Sequence, residues 1–217
     1  GHLSIVQAEE VVLTRSHIGL VMEYVKGESL PRLLEGCAAA VARAALSGRG
    51  ALRAAARVPA GTAAAAARFV CGNLVSYVTR RRDSAALRGG LCMDEDAACY
   101  FFRQLISAVQ YCHEGHVAHR DLKLDNALLD DRDPPRLKLC DFGFAKGWAT
   151  SSNMDTMRIG TAEYMGPELI SGRSGYDGKK VDVWAAGVML YVLLLGAFPF
   201  EMEDENYEST ADINFLF

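Results

Sequence analysis

The sequence lacks the cysteine spacing of a structural zinc site. No C-x-x-C pair occurs, and the adjacent Cys112 and His113 supply too few ligands for a tetrahedral metal site. The cysteines stand apart at positions 37, 71, 92, 99, 112 and 140. We therefore expect reduced thiols and a location in the cytoplasm, the nucleus or both.

Long apolar runs are also missing. The longest, residues 188–200, is too short to cross a bilayer, and no basic-then-apolar leader opens the chain. The 217 residues are 50% apolar and 23% charged, which is ordinary for one globular domain or slightly more. No membrane partner is expected.

Acidic residues are absent from one stretch. Residues 36–82 hold eight arginines and no Lys, Asp or Glu, which leaves −12 for the rest of a chain of net charge −4. Sixteen of the thirty residues from Ala38 to Ala67 are alanine, without an apolar stripe, so we expect a disordered low-complexity insert over 28–72. Clustered arginines can bind nucleic acid, but no interleaved aromatic residues accompany them, so nucleic acid is not the expected partner.

The remaining sequence has the periodicities of short strands and longer helices. A helix is predicted over 94–115, with Asp94 as N-cap and Gly115 as its end. A second helix, over 181–196, is apolar on every face, which predicts burial all round. Alternating apolar residues predict strands over 10–14, 18–25, 127–130 and 136–140.

One loop concentrates the side chains of phosphoryl-transfer chemistry. In "HRDLKLDN" (119–126), Asp121 can accept a proton from a hydroxyl, and Lys123 can neutralise charge on a transferred group. Asn126 and Asp141, the latter directly after a predicted strand, offer the oxygen ligands that a hard cation prefers. A base, a cation and two metal ligands describe in-line transfer from a magnesium-bound nucleotide.

Four motifs in order carry a family resemblance. "HRDLKLDN", "DFG" (141–143), "GTAEYMGPE" (160–168) and "DVWAAGV" (182–188) resemble the eukaryotic serine/threonine protein kinases. The sequence around these motifs is most similar to that of the sucrose-nonfermenting-related stress kinases of plants and algae. The resemblance implies an α+β protein-kinase-like fold with a mainly helical C-lobe. It divides the chain into an N-lobe remnant (1–27), the insert (28–72) and a C-lobe (73–217) truncated before its last helices.

The resemblance also implies the reaction and its residues. Asp121 would be the catalytic base and Lys123 the phosphate partner in ATP- and Mg²⁺-dependent phosphorylation of protein serine or threonine. Asn126 and Asp141 would hold the metal. The nucleotide's adenine would lie among the gatekeeper, the hinge and one strand residue, which are Met22, Glu23, Val25 and Leu128.

Regulatory and structural roles follow in the same way. Arg120 would pair with a phosphate on the activation segment, which runs from Asp141 to Glu168. An upstream kinase would supply that phosphate at Thr156 first, or at Ser151 or Ser152. Thr161 is expected to contact the catalytic loop rather than to regulate. Structural roles are expected for His119, Phe142, Glu168 and Asp182, the last capping the buried helix and holding the backbone at 119–120.

Specificity is open to a prediction as well. Asp125, beside the base, resembles the acid with which basophilic kinases read an arginine upstream of the target residue. Phe144, after the DFG, suggests serine over threonine.

Departures from the family leave an alternative open. "HLSIV" (2–6) resembles a segment that follows the glycine-rich loop and the strand lysine, and neither of those elements occurs in this sequence. A non-catalytic fragment or pseudokinase acting as an interaction module is therefore the competing hypothesis. The insert is either a translated intron of a GC-rich gene or a docking or regulatory arm.

Overall fold

A computed structural model describes residues 1–35, 93–151, 153–154, 159–171 and 175–200, and the backbone of 201 and 214–215. The predicted α+β class is confirmed. Most of the predicted insert lies outside the described residues.

The first two strands form an exposed antiparallel hairpin. β1 (Ala8–Leu13) pairs with β2 (Ile18–Met22), with a register irregularity between Ala8 and Glu10. Every residue of both strands is exposed. Both strands were predicted, but the second ends at Met22 rather than at Val25.

Residues 28–35 correct the predicted start of the disordered insert. Residues 30–35 are helical, and Leu30, Leu33 and Leu34 are buried in the hydrophobic core. The arginine- and alanine-rich composition further along hid this short amphipathic turn. The rest of the predicted insert is not described.

The helix α1 spans Glu95–Glu114 and forms as predicted. Asp94 is its N-cap, since Asp94 Oδ1 accepts a hydrogen bond of 2.8 Å from the Ala97 amide, and Gly115 follows its last turn. The predicted apolar face is buried, with Phe101 and Leu105 almost inaccessible.

Short strands then frame the loop with the charged motif. β3 (Val117–Ala118) pairs with β6 (Lys146–Gly147), and β4 (Ala127–Leu129) pairs antiparallel with β5 (Leu137–Leu139). A 3₁₀ turn over Leu124–Asn126 leads into β4. The predicted strands at 127–130 and 136–140 are thus confirmed, slightly shortened.

The C-terminal part of the described chain adds two helices and two strand pairs. They are β7 (Asn153–Met154) with β8 (Tyr176–Asp177), α2 (Pro167–Ile170), α3 (Gly178–Leu195), and β9 (Phe200–Glu201) with β10 (Asn214–Phe215). The core is assembled where α1, α3, β4 and β5 meet. Among the described residues, no helix combines the length and apolar character needed to cross a membrane.

The prediction that α3 is buried on every face is wrong. Ala186 and Met189 face the core, but Val183 is 61% exposed and Leu195 is 49% exposed. Apolar composition establishes that a helix can be buried, but the arrangement of its neighbours decides which faces are covered.

Candidate active site

The loop between β3 and β4 is held from below by one buried carboxylate. Asp182, in α3, accepts hydrogen bonds from the backbone amides of His119 (2.9 Å) and Arg120 (2.8 Å). His113, near the end of α1, donates a third bond of 2.7 Å to the same carboxylate. Arg120 has a positive φ of 65°, a conformation that these bonds help to hold.

Asp182 does not cap α3, contrary to prediction. The N-cap is Asp177, whose carboxylate accepts a bond of 2.9 Å from the Lys179 amide. Asp182 lies one turn further along, and from there its side chain can reach the loop. The predicted bonds to residues 119 and 120 are present.

Asp121 lies at the centre of a compact polar cluster. Thr161 donates to Asp121 Oδ1 at 2.8 Å, and Lys123 Nζ lies 3.1 Å from Asp121 Oδ2. Lys123 Nζ also donates to Thr161 Oγ1 at 2.9 Å. Asp121 is only 4% exposed, so these contacts orient its carboxylate before any ligand binds.

Thr161 reaches this cluster because its neighbour is a glycine. Gly160 has a φ of 115°, and a Cβ there would lie 2.9 Å from the Arg120 carbonyl oxygen. A side chain would push the segment away from the loop. The contact expected of Thr161 is therefore present, and its role remains a prediction.

Asn126 and Asp141 lie at the same end of the β4–β5 hairpin. The Asn126 carbonyl accepts a bond of 2.9 Å from the amide of Cys140, the residue before Asp141. Asn126 Nδ2 donates to the Asp121 carbonyl at 2.9 Å, which orients its side-chain amide. Asp141 has a φ of 60°, and its Oδ1 accepts the Gly143 amide at 3.2 Å.

The two side chains fit a magnesium ion. Asn126 uses its amide nitrogen for the loop, so its Oδ1 remains as a hard ligand. Asp141 is exposed, and among the described residues only its Oδ1 accepts a hydrogen bond. Oxygen ligands from one or two side chains suit Mg²⁺, which retains waters and also takes oxygens from a bound phosphate.

His119 and Phe142 pack together beneath the loop. Their rings lie 4.7 Å apart, and His119 Nε2 donates to the Cys140 carbonyl at 3.0 Å. Burial lowers the pKa of His119 below its usual 6.5, so the ring is neutral at physiological pH. The geometry is that of a packing residue, and the structural roles of both remain predictions.

Arg120 contacts the segment that follows Asp141. Its Nε donates to the Phe144 carbonyl at 2.7 Å, and its Nη1 donates to the Tyr176 hydroxyl at 3.1 Å. Ser151 is exposed and its hydroxyl accepts the Asn153 amide at 3.2 Å. Ser152 and Thr156 lie outside the described residues, and Glu168 lies in the first turn of α2.

The segment after the predicted hinge, residues 27–29, packs directly against β4. Leu129 donates its amide to the Glu28 carbonyl at 2.9 Å, and Ser29 forms a bridge with Leu128. A Cβ at Gly27 would overlap the Leu129 carbonyl oxygen, so only glycine allows this approach. Leu128 therefore lies beside the segment that follows the hinge, and its contact with adenine remains a prediction.

The hinge residues themselves are accessible. Met22 is 51% exposed, and within the described residues no hydrogen bond occupies the Glu23 carbonyl or the Val25 amide. The Glu23 carboxylate accepts bonds from Lys138 Nζ (2.7 Å) and the Gln7 amide (2.9 Å). The Lys138 bond lowers the pKa of Glu23 below 4.5, against an opposing effect of burial.

Several residues that support the site were not predicted from the sequence. Three of them hold a site residue through contacts remote in sequence: His113, Lys138 and Tyr176. The fourth, Asp177, caps the start of α3. Only Asp177 carried a signal, since "YDGKK" places an N-cap residue type directly before the apolar helix. The other contacts depend on the tertiary fold.

Comparison with known proteins places this geometry in a family. A model of the protein kinase domain matches residues 73–216. The serine/threonine-protein kinase SRK2B of Arabidopsis thaliana is 37% identical over 211 residues, which cover 96% of this chain and 43% of that protein. The abscisic acid-inducible protein kinase of Triticum aestivum is 37% identical over 96% of this chain and 47% of its own length.

A further relative matches a shorter region more closely. The serine/threonine-protein kinase SAPK4 of Oryza sativa subsp. japonica is 53% identical over 111 residues, or 51% of this chain and 30% of that protein. The chain spans less than half the length of these curated relatives. Their names agree with the resemblance to plant serine/threonine kinases, and the chain therefore belongs to the protein kinase domain family.

Proposed function

We propose that this chain carries the catalytic half of a protein serine/threonine kinase, which transfers the γ-phosphoryl group of ATP to a hydroxyl of a protein substrate. The observation that carries the proposal is the cluster of Asp121, Lys123 and Thr161 beside the two metal-ligand side chains. Asn126 and Asp141 would hold Mg²⁺, which would supply positive charge to neutralise the phosphates of the nucleotide.

The chain's own residues have defined tasks in this reaction. Asp121 accepts the proton of the substrate hydroxyl as the oxygen–phosphorus bond forms and the γ-phosphoryl leaves ADP. Lys123 is held against Asp121 and is placed to stabilise negative charge on the transferring group. Thr161 ties the activation segment to both, so the site is complete only when this segment is ordered.

Finer parts of the proposal concern substrate and regulation. Asp125 is exposed on the 3₁₀ turn next to the base, which supports recognition of an arginine upstream of the target. Phe144 is 46% exposed after the DFG and supports the preference for serine. Phosphorylation of Thr156 by an upstream kinase, with Arg120 as phosphate partner, and a cytoplasmic or nuclear location complete the proposal.

Nucleotide binding is the first test. A thermal-shift titration with ATP and Mg²⁺ should raise the stability of the wild-type chain by about 2.7 kcal/mol at a hundred times the dissociation constant. Asp141→Ala should lose this shift, whereas Asp131→Ala, at an exposed position outside the site, should retain it. An equal shift in Asp141→Ala would refute the assigned metal site.

The second test separates a kinase from a non-catalytic interaction module. With radiolabelled ATP and a basic serine peptide, Asp121→Asn should lower the rate by roughly 10²–10⁴-fold. Label on serine or threonine, absent from Asp121→Asn, supports the kinase. Nucleotide binding without any transfer by the wild-type chain would favour the interaction module.

A further inference from the structure

A second cleft lies away from the catalytic loop. It has a volume of about 530 Å³ and opens between α1, the residues before β1, and Arg136 at the entrance to β5. None of the site residues proposed above lines it among the described residues. The cleft is therefore separate from the candidate active site.

Hydrogen bonds fix the walls of this cleft. Gln104 Oε1 accepts the Leu137 amide at 3.1 Å, which fastens α1 to β5. The Ser4 amide donates to His2 Nδ1 at 3.1 Å, which leaves His2 Nε2 to donate to Ser107 Oγ at 3.0 Å. The Ser107 hydroxyl hydrogen is then left to donate into the cleft.

Positive charge collects here without a counter-charge. The side chains of Arg103 and Arg136 form no hydrogen bond or ion pair with any described residue. No Asp or Glu of the described chain lines the cleft. The nearby Asp130 is already engaged, because it pairs with Arg132 at 3.1 Å and accepts the Arg136 amide at 2.7 Å.

Arg103 and Arg136 differ in this from three other cations of the described residues. Lys123, Arg132 and Lys138 each have a carboxylate partner within 3.1 Å. Two unpaired guanidinium groups and a free hydroxyl donor on a chain of net charge −4 mark a place that favours an anion.

We propose that this cleft docks an acidic peptide segment of a protein partner. Its volume falls in the range of clefts that enclose a sizeable ligand, so a single small ion would leave most of it unfilled. Glutamate or aspartate side chains would pair with Arg103 and Arg136 and accept from Ser107. The exposed Leu3 and the half-buried Tyr100 give the peptide's apolar atoms a contact surface.

Fluorescence anisotropy with the full chain tests the proposal. The probe is a short labelled glutamate-rich peptide, and its twin carries glutamine at every glutamate. The acidic peptide should bind, more weakly as salt is raised, and the twin should not. Arg136→Gln should weaken binding about ten-fold and the more exposed Arg103→Gln about three-fold, as expected for partly and largely solvated charge pairs.

Arg132→Gln is the matched control, since it removes an arginine of the same loop that does not line the cleft. It should bind the acidic peptide like the wild type. Equal binding of the two peptides, an equal loss in Arg132→Gln, or competition by inorganic phosphate or heparin as effective as by unlabelled peptide would each overturn the proposal. Because no nucleotide is involved, these outcomes are independent of the kinase tests.

Discussion

Two antiparallel hairpins of this chain have opposite surroundings. In β1–β2 every residue is exposed, and Leu20 shows 54% of its surface. In β4–β5 the alternate residues Ala127, Leu129, Leu137 and Leu139 are buried against α1 and α3. Both hairpins are antiparallel, but β4–β5 supports the candidate active site from within the core, whereas β1–β2 is exposed.

The difference separates two parts of the proposed reaction. The groups for phosphoryl transfer, Asp121, Asn126 and Asp141, stand on or beside the buried hairpin and are oriented by it. Of the groups proposed for adenine, Met22 ends the exposed hairpin and Glu23 and Val25 follow it, whereas Leu128 lies in the buried one. The position of the phosphoryl-transfer groups thus depends on the hydrophobic core. Most of the proposed adenine contacts depend instead on the exposed hairpin.

Equivalent leucine truncations in the two hairpins should give the largest contrast. Leu139→Ala removes a side chain with 0% exposure and should lower the free energy of unfolding by about 2–5 kcal/mol. Leu20→Ala should change it by no more than about 0.5 kcal/mol. Urea denaturation measures both. Similar losses in the two variants would mean that β1–β2 is part of the cooperative core.

The buried carboxylate beneath the loop should come next in size. Asp182→Ala leaves the amides of His119 and Arg120 without acceptors and should cost about 1–3 kcal/mol. Hydrogen exchange at these two amides should accelerate beyond the global change. Asp177→Ala, which removes the cap of α3 but no bond to these two amides, should cost about 1 kcal/mol and leave those amides protected. Unchanged exchange in Asp182→Ala would contradict the assigned anchor.

The smallest effect should come from the ion pair that joins the two hairpins. Lys138→Met should reduce stability at neutral pH by about 0.2–1 kcal/mol, since Glu23 loses its partner. The pKa of Glu23 is lowered in the folded state, so this stability is present above pH 4.5 and is lost as pH falls through the folded pKa.

Denaturation of the Lys138→Met variant and the wild type across this range provides the test. The two stabilities should converge in acid. Lys180→Met, at an exposed position of α3, should differ little from wild type at every pH. A difference between Lys138→Met and wild type that persists far below pH 4.5 would show that packing rather than charge explains it.

Local signals predicted the elements that depend on neighbouring residues. The 3.6-residue apolar period, Asp94 and Gly115 defined α1, and alternation located the four strands of the two hairpins. The helical turn at 30–35 was missed because it adjoins a low-complexity stretch. The N-cap of α3 was predicted at Asp182 because this residue opens the "DVWAAGV" motif, whereas the helix begins after Asp177.

The sequence by itself carried the proposed reaction class, because Asp121, Lys123, Asn126 and Asp141 occur in one ordered set of motifs. It could not show which faces of α3 are covered, or that Asp182 reaches back to residues 119 and 120. Nor could it bring Arg103 and Arg136 to one cleft. These facts join residues far apart along the chain, and only the packing of helices against strands fixes such distances.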